Sequence, residues 1–421
     1  MLLAVAPSLN PTTQRIQALM RGHTDRAEEA EILQLLGEAD PATLNESITQ
    51  LDMADLFSDI DDHWGGPKNK TQLLQMLSQD RLEQLEVPSR SAIIGGLQEG
   101  WTRVHDEGSA KVAGGLEEQA IRNIIVGTEG ASLSALKNSI NAGADEYDMQ
   151  HLLYSDVDDQ GLLTEIFSHI ETQGQATPTG QIKPLSDIDD TFYSNLKDDR
   201  YPSETVYPGV LAFYDELDKG AKNEPDALGD LTFLSARPDE SSGTIKNRTH
   251  RTLRENGVKE ASVLLGSLTG LINNEAMAKK KMENFEQYKA IYPEYDFTWT
   301  GDSGQGDAIL GQRMLQQYPN RVKGVFIHNV TGLSADQKQD FRQQGIRVFD
   351  TYLGAALEAH ELGLITSEGL NRVATAASND LQSITWDSEE QKQARIDDLN
   401  RDLERMRESL RGPGGSQPRK L

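Results

Sequence analysis

The chain of 421 residues contains no cysteine. Disulfides and thiolate-ligated metals are therefore excluded, and the redox character of its compartment leaves no trace. Basic residues are scarce: 41 Lys and Arg stand against 67 Asp and Glu, a formal net charge of -26. A surface of that sign repels phosphate backbones, so no nucleic-acid partner is expected. Unspecific attachment to anionic membranes is disfavoured too, although a local basic patch would escape a whole-chain count. Long hydrophobic runs are missing. Leu2-Leu3-Ala4-Val5-Ala6 is too short for a signal core and lacks a basic leader, and no later segment approaches a membrane span. A soluble protein of the cytoplasm is the expectation, with export by a leaderless route leaving no readable mark. Aromatics are thin at 6%, but 37% hydrophobic residues still supply a globular core.

The length exceeds what one hydrophobic core organises, so two or three domains are expected. Residues 1–170 read as helical, with apolar positions three and four apart. They contain an internal echo. Glu28-Glu29 leading to Ile32, Leu35 and Leu36 matches Glu117-Glu118 leading to Ile121, Ile124 and Ile125. Leu56-Phe57-Ser58-Asp59-Ile60-Asp61-Asp62 matches Leu153-Tyr154-Ser155-Asp156-Val157-Asp158-Asp159. Two related helical repeats, about 28–77 and 117–168, account for this pattern. The polar stretch 171–181 reads as a linker. Beyond it, apolar runs at Ile182–Leu185, Leu231–Leu234, Ser262–Leu265, Asp296–Thr300, Val322–Ile327 and Ile346–Phe349 alternate with helical stretches. That alternation predicts an α/β domain over 182–370, a Rossmann-like parallel sheet following an N-terminal all-α repeat domain. Asp350–Leu364 supplies its closing helix. In 371–421, Ile396, Leu399, Leu403, Met406 and Leu410 form an apolar seam too short for a free coiled coil, so a helix docked on its own protein is expected. Residues 412–421 are expected to be disordered.

Ser-Asp-(Ile/Val)-Asp-Asp occurs three times, so the string alone decides nothing. Asp59 and Asp156 follow helical segments at equivalent repeat positions, where an acidic cap or turn is the natural reading. Asp187 instead follows an apolar strand directly, and parallel α/β sheets bind ligands at the carboxyl ends of their strands. A carboxylate at Asp187 can attack phosphorus to form an aspartyl-phosphate, and Asp189 can protonate the leaving oxygen and then activate water. Two acidic groups beside a phosphate call for a hard cation, and Mg²⁺ prefers oxygen ligands. Candidate supporting groups stand at other strand ends. Ser235 and Arg237 follow Leu231–Leu234, Lys281 lies in Lys279-Lys280-Lys281 ahead of an amphipathic helix, and Asp302 and Asp307 lie in the Gly-rich turn after Asp296–Thr300. Each piece is weak alone. A lysine run is usually a solvated face.

The order Asp-x-Asp-x-Thr, Ser, Lys, Gly-Asp-x4-Asp resembles the four motifs of the haloacid dehalogenase-like phosphatases. The detailed likeness is closer to the actin-patch-type phosphatidate phosphatase family. Ser186-Asp187-Ile188-Asp189-Asp190-Thr191 resembles its opening motif, Lys281 before Tyr292-Pro293 its lysine, and Gly301-Asp302-Ser303-Gly304-Gln305 its last motif. The resemblance spans roughly 182–366. It implies Asp187 as nucleophile and Asp189 as general acid/base lending a carbonyl to Mg²⁺. It implies Asp302 as metal ligand with Asp307 in support, and Ser235 and Lys281 holding the phosphoryl group, with Thr191 and Arg237 beside it. Asp307-Ala308-Ile309 departs from the family's usual Asp-Pro-Glu, and Arg237 stands where the family often has Asn.

The segment Asn195–Tyr207 leaves room only for a modest flap over the site. An uncovered site suits a bulky or interfacial phosphate ester, and the resemblance implies phosphatidate or a related lipid phosphate, reached by peripheral membrane contact. Phe192, Tyr193, Tyr201 and Tyr207 lie nearby, where core packing is the ordinary role. Two alternatives stay open: a phosphatase of proteins or other phosphomonoesters, and a non-catalytic scaffold whose residues 1–170 bind a protein partner.

Overall fold

The computed structural model describes residues 9–62, 66–104, 115–142, 147–222, 231–238, 244–258, 261–266, 273–304 and 306–411. The apolar run at residues 2–6, the 412–421 tail and the side chain of Arg237 lie outside the described residues. The chain divides into two units: Met1–Pro178 with Ser241–Gly243 and Tyr288–Glu294, and Thr179–Glu240 with Thr244–Gln287 and Tyr295–Leu421.

Helices build the first unit. In its earlier half, Arg26–Glu38 starts at a capping box between Asp25 and Glu28, and Pro41–Gln50 starts at Asp40 with proline at its first position. Met53–Asp59 and Asn69–Gln75 follow. In its later half come Leu116–Val126, Gly130–Asn141 and Gln160–Ala176. The apolar positions picked out by spacing are the buried ones: Ile32, Leu36, Leu44, Ile48 and Leu56 in one half, Ile121, Ile124, Ile125, Leu136 and Leu153 in the other. Both halves also place the same hydrogen bond. Buried Glu29 accepts from the Asp61 N–H, and buried Glu118 accepts from the Asp158 N–H at 2.9 Å. The acidic strings here serve helix starts. Asp62 accepts from Thr71 N at 3.0 Å, and Asp159 accepts from Gly161 N at 2.7 Å.

The helix Gln160–Ala176 runs through most of the stretch whose polar, glycine-containing composition reads as a linker. Its Gly174 answers a packing demand instead of a turn: a Cβ there would meet Pro293 Cγ at 2.5 Å.

The second unit is built on six parallel strands: β1 Ile182–Ser186, β2 Thr232–Pro238, β3 Ser262–Gly266, β4 Asp296–Asp302, β5 Val322–His328 and β6 Ile346–Phe349. Their order is β3-β2-β1-β4-β5-β6. Chain direction across the sheet reverses between β1 and β4, which leaves a crevice at the carboxyl ends of those two strands. Helices cover both faces. Val325 and Phe326 are successive residues of β5 and so point to opposite sides. Phe326 joins the cluster containing Phe213, Tyr352 and Leu370, contributed by helices Val210–Lys219, Tyr352–Glu361 and Ser367–Ser383. On the other side, Gly311 of helix Asp307–Gln317 lies against Val325 and Trp299, and Phe285 of helix Asn274–Ile291 packs edge-on to Phe297.

The long C-terminal helix Glu389–Arg411 docks on this unit through buried Leu399, with Ile396, Leu403 and Met406 packed against the same cluster. Four of the five seam residues are thus covered within the chain, while Leu410 is exposed. Among the described residues, no helix is long and apolar enough to cross a membrane.

Candidate active site

β1 delivers the first residue. Its ladder with β4 continues one step past Ser186, where the Asp187 N–H donates to the Thr300 carbonyl at 2.9 Å. This fixes the Asp187 backbone at the sheet's carboxyl edge, and the side chain is 3% exposed. Beneath it, the Ser186 hydroxyl donates to the Asp187 carbonyl at 2.7 Å and lies 2.6 Å from Tyr214 Oη.

Helix Asn274–Ile291 delivers the second. Successive helical residues turn by about 100°, so the lysine run is split between environments: Lys279 is exposed, Lys280 half-buried and Lys281 buried. Lys281 Nζ donates to Asp187 Oδ1 at 2.7 Å and to Asp307 Oδ1 at 2.6 Å, and it sits 5.5 Å from the centre of the Trp299 ring. Burial opposes its charge, but Asp187 and Asp307 outweigh that and hold the ammonium above the usual lysine range.

The end of β4 and the following turn deliver the acidic pair. Asp307 opens helix Asp307–Gln317 and accepts from the Asp302 N–H at 3.1 Å, while Asp302 accepts from the Gly304 N–H at 2.5 Å. Such proximity requires Gly301, where a Cβ would lie 2.4 Å from Asp307 Cβ. Carboxylate oxygens of Asp187, Asp302 and Asp307 converge within 4.8 Å of one another. Burial, with Asp307 and Asp189 nearby, pushes Asp187 up to about 7 despite Lys281. Burial, with Asp307 and Asp187, likewise pushes Asp302 well above the carboxylate range.

Three buried carboxylates around one ammonium leave negative charge unmatched. Among the described residues, Asp187 Oδ2 and Asp302 Oδ2 are buried without a hydrogen-bond partner. Oxygen donors gathered in this way could hold a metal ion.

The remaining expected residues are placed as follows. Asp189 is half-buried, and its Oδ1 accepts from Asn195 Nδ2 at 2.8 Å. Thr191 is buried with no partner for its hydroxyl, while its carbonyl accepts from Tyr352 Oη at 2.5 Å. Ser235 is buried near the carboxyl end of β2, the neighbour of β1. Phe192, Tyr193, Tyr201 and Tyr207 are all buried, so their role is packing.

The segment 152–329 matches the model described as the catalytic domain of phosphatidate phosphatase APP1. Over residues 152–329 the chain is similar to phosphatidate phosphatase catalytic domains. That is a phosphoric monoester hydrolase family. The match covers about two-fifths of the chain and includes Asp187, Asp189, Thr191, Ser235, Lys281, Asp302 and Asp307. No curated protein and no solved structure matches the chain.

One layer of this site was not foreseen from sequence. Asp190 adopts φ 59°, and its buried carboxylate accepts N–H groups from Asn195 at 2.9 Å, Leu196 at 3.1 Å, Lys197 at 2.7 Å and Asp198 at 3.3 Å. Asp198 pairs with Arg200 through Nε at 2.7 Å and Nη2 at 2.8 Å, and accepts from Tyr207 Oη at 2.8 Å. Arg200 Nη2 lies 3.0 Å from His328 Nε2, and His328 Nδ1 lies 3.0 Å from the Asp190 carbonyl. A guanidinium only donates, so Nε2 accepts and Nδ1 carries the proton. Burial, then Arg200, lowers the His328 pKa to about 4, which keeps the ring neutral. The one available sequence signal was the third aspartate of the string, Asp190, a type favoured where φ is positive.

Proposed function

We propose that the chain is a Mg²⁺-dependent phosphatase working through an aspartyl-phosphate on Asp187, with phosphatidate or a related lipid phosphate as substrate. The observation that carries this reading is the pair of orphan oxygens on Asp187 and Asp302 beside a lysine shared by Asp187 and Asp307. It lies inside the segment that matches a phosphatidate phosphatase catalytic domain.

In this reading Asp187, Asp302 and the Asp189 carbonyl would hold Mg²⁺, with Asp307 in support. When bound, it would supply positive charge against the phosphate and carboxylates that Lys281 alone does not offset. Lys281 keeps Asp187 pointed into the site and offers its ammonium to a phosphoryl oxygen. Ser235 and the Thr191 hydroxyl supply hydrogen bonds to the same group, and Arg237 is assigned charge support on its sequence position alone. The Asp187 carboxylate forms a bond to phosphorus as the ester P–O bond breaks, and Asp189 gives its proton to the departing oxygen. Asp189 then takes a proton from water, whose oxygen attacks phosphorus and returns Asp187 to a free carboxylate. Positioning and charge neutralisation carry most of such a reaction.

The test is phosphate release from phosphatidate in detergent micelles and from an aryl phosphate, each with Mg²⁺. Asp187→Asn is expected to abolish both, and Asp59→Asn, in the equivalent string of the first unit, to leave both unchanged. Equal release by wild type and Asp187→Asn would overturn the mechanism.

A further inference from the structure

The flap after β1 is unusual in being rigid in its backbone yet open in its side chains. The Asp190 carboxylate gathers four successive N–H groups, an anion seated in a backbone nest. Asp198, Arg200 and His328 then tie the far side of that loop back to the Asp190 carbonyl. Asn195, Leu196 and Lys197 nonetheless remain exposed, Leu196 at 63%. One of these side chains turns inward: Asn195 Nδ2 reaches Asp189 Oδ1 at 2.8 Å.

A hydrogen bond between two exposed groups is ordinarily weak, because ordering both side chains offsets much of its gain. Here the backbone on both sides is already held by hydrogen bonds, so only the two side chains have to be ordered. The chemistry of the contact is also directional. An amide N–H donating to Oδ1 makes that oxygen the carbonyl-like one when Asp189 is protonated, and so places the transferable proton on Oδ2. A carboxyl group otherwise rotates freely about its last bond, with either oxygen carrying the proton.

We propose that Asn195 is a positioning residue for Asp189, setting which carboxyl oxygen delivers the proton to the leaving group. The proposal rests on the phosphatase reading above. In the step concerned, the ester P–O bond breaks while Asp187 bonds to phosphorus, and the proton on Asp189 Oδ2 passes to the departing oxygen to give a neutral alcohol. Nothing is oxidised or reduced.

An asparagine that merely stiffens the flap would affect all substrates alike. A proton-positioning residue matters only where the leaving oxygen needs its proton. The full-length protein is assayed with Mg²⁺ on 4-nitrophenyl phosphate, phenyl phosphate and a short-chain phosphatidate, comparing wild type, Asn195→Ala and Asn195→Gln. Asn195→Ala keeps the backbone N–H that Asp190 accepts, so the nest survives. The ratio kcat/KM is read because it ends at departure of the alcohol and is blind to later hydrolysis of the intermediate. Phenol leaves with a pKa of about 10, as tyrosine's side chain does, whereas nitrophenol is far more acidic and needs little help. Asn195→Ala is expected to lose about tenfold or more on phenyl phosphate and phosphatidate, a part of the 10²–10⁴ that general-acid catalysis supplies. It should lose less than about threefold on the nitrophenyl ester, and Asn195→Gln should regain most of the loss.

Equal losses on the nitrophenyl and phenyl esters, or no loss on either, would overturn the proposal while leaving the phosphatase reading intact. Turnover of the aryl esters without phosphatidate would dismiss only the lipid substrate. Wild type with no Asp187-dependent turnover of any ester would overturn both readings.

Discussion

Lys281→Met removes the one ammonium that Asp187 and Asp307 share and keeps a side chain of similar length. The variant asks how much of the site is held together by that charge. Lys281 is 2% exposed, Asp187 3% and Asp307 0%, so the pair is shielded from water on both sides. Removing one member of a buried ion pair costs about 3–5 kcal/mol, because the other member is left uncompensated. Two carboxylates share this lysine, so the upper part of that range is expected with EDTA at pH 8. At about 2–4 °C per kcal/mol for domains of 150–250 residues, the melting transition of the α/β unit should fall by about 8–20 °C. Two conditions should shrink the loss. Saturating Mg²⁺ supplies replacement positive charge, and lowering the pH to 5.5 lets Asp187 take up a proton instead of staying charged. The sign follows from linkage. A carboxyl group whose folded pKa is raised binds protons in the native state that the unfolded chain has released, so native stability falls as pH rises through that window. Differential scanning calorimetry of wild type and variant, at pH 5.5 and 8, with EDTA and with Mg²⁺, reads all four cells. A loss below about 1 kcal/mol with EDTA at pH 8, or one of equal size at both pH values, would refute the view that Lys281 is the counter-charge of a strained acidic cluster.

Three further outcomes follow from the same site. Asp187 is raised from 3.8 to about 7, so its stabilising contribution without metal is fully present below about pH 4 and lost as pH rises to about 7. Mg²⁺ competes with those protons, and the thermal shift it produces should therefore grow between pH 5 and 8; a flat profile would contradict this. Gly301→Ala puts a Cβ 2.6 Å from Asp307 Oδ2, and should cost about 1–3 kcal/mol in urea denaturation together with most of the Mg²⁺ affinity seen by calorimetry. His328 is lowered from 6.5 to about 4, so its contribution is complete above about pH 6.5 and lost as pH falls toward 4. From one unit per 1.36 kcal/mol, wild type should lose about 2 kcal/mol more than His328→Asn between pH 7 and 5 in urea denaturation, and parallel losses would refute it.

The strands were legible because each is a short apolar run bounded by polar turns, and a strand buried on both faces needs no alternation to be found. β6 falls on Ile346–Phe349 as the sequence reads, and the other five differ by a residue or a few at their ends. The differences are informative at β4, which runs on to Asp302: ladder pairing with β5 continues into the Gly-Asp turn, beyond where hydrophobicity stops. The convergence of Asp187, Lys281, Asp302 and Asp307 was legible as an ordered set, not from any one of them. The lysine run illustrates why. Composition makes it a solvated face, and only the helix's rotation against Trp299 and Asp307 turns the third lysine inward. The flap network was out of reach. Arg200 and His328 lie on opposite sides of the central strands in sequence, and nothing local in either announces the other. The 171–181 stretch misled for a related reason, since Gly174 serves a close approach to Pro293 that only packing reveals.

The strand order also sets when this site comes into being. β1, which carries Asp187, finds a neighbour on its other side only in β4, made long after it. A chain emerging from the ribosome therefore holds Asp187 on an incomplete sheet until β2, β3 and the lysine helix have all been synthesised. Pairings between such distant segments form slowly, since a long loop must close before any contact repays it. The acidic cluster therefore cannot assemble before β4 and the turn after it have been made. Until then its carboxylates stay hydrated, and β1 presents an unpaired edge of the kind that other chains can pair with.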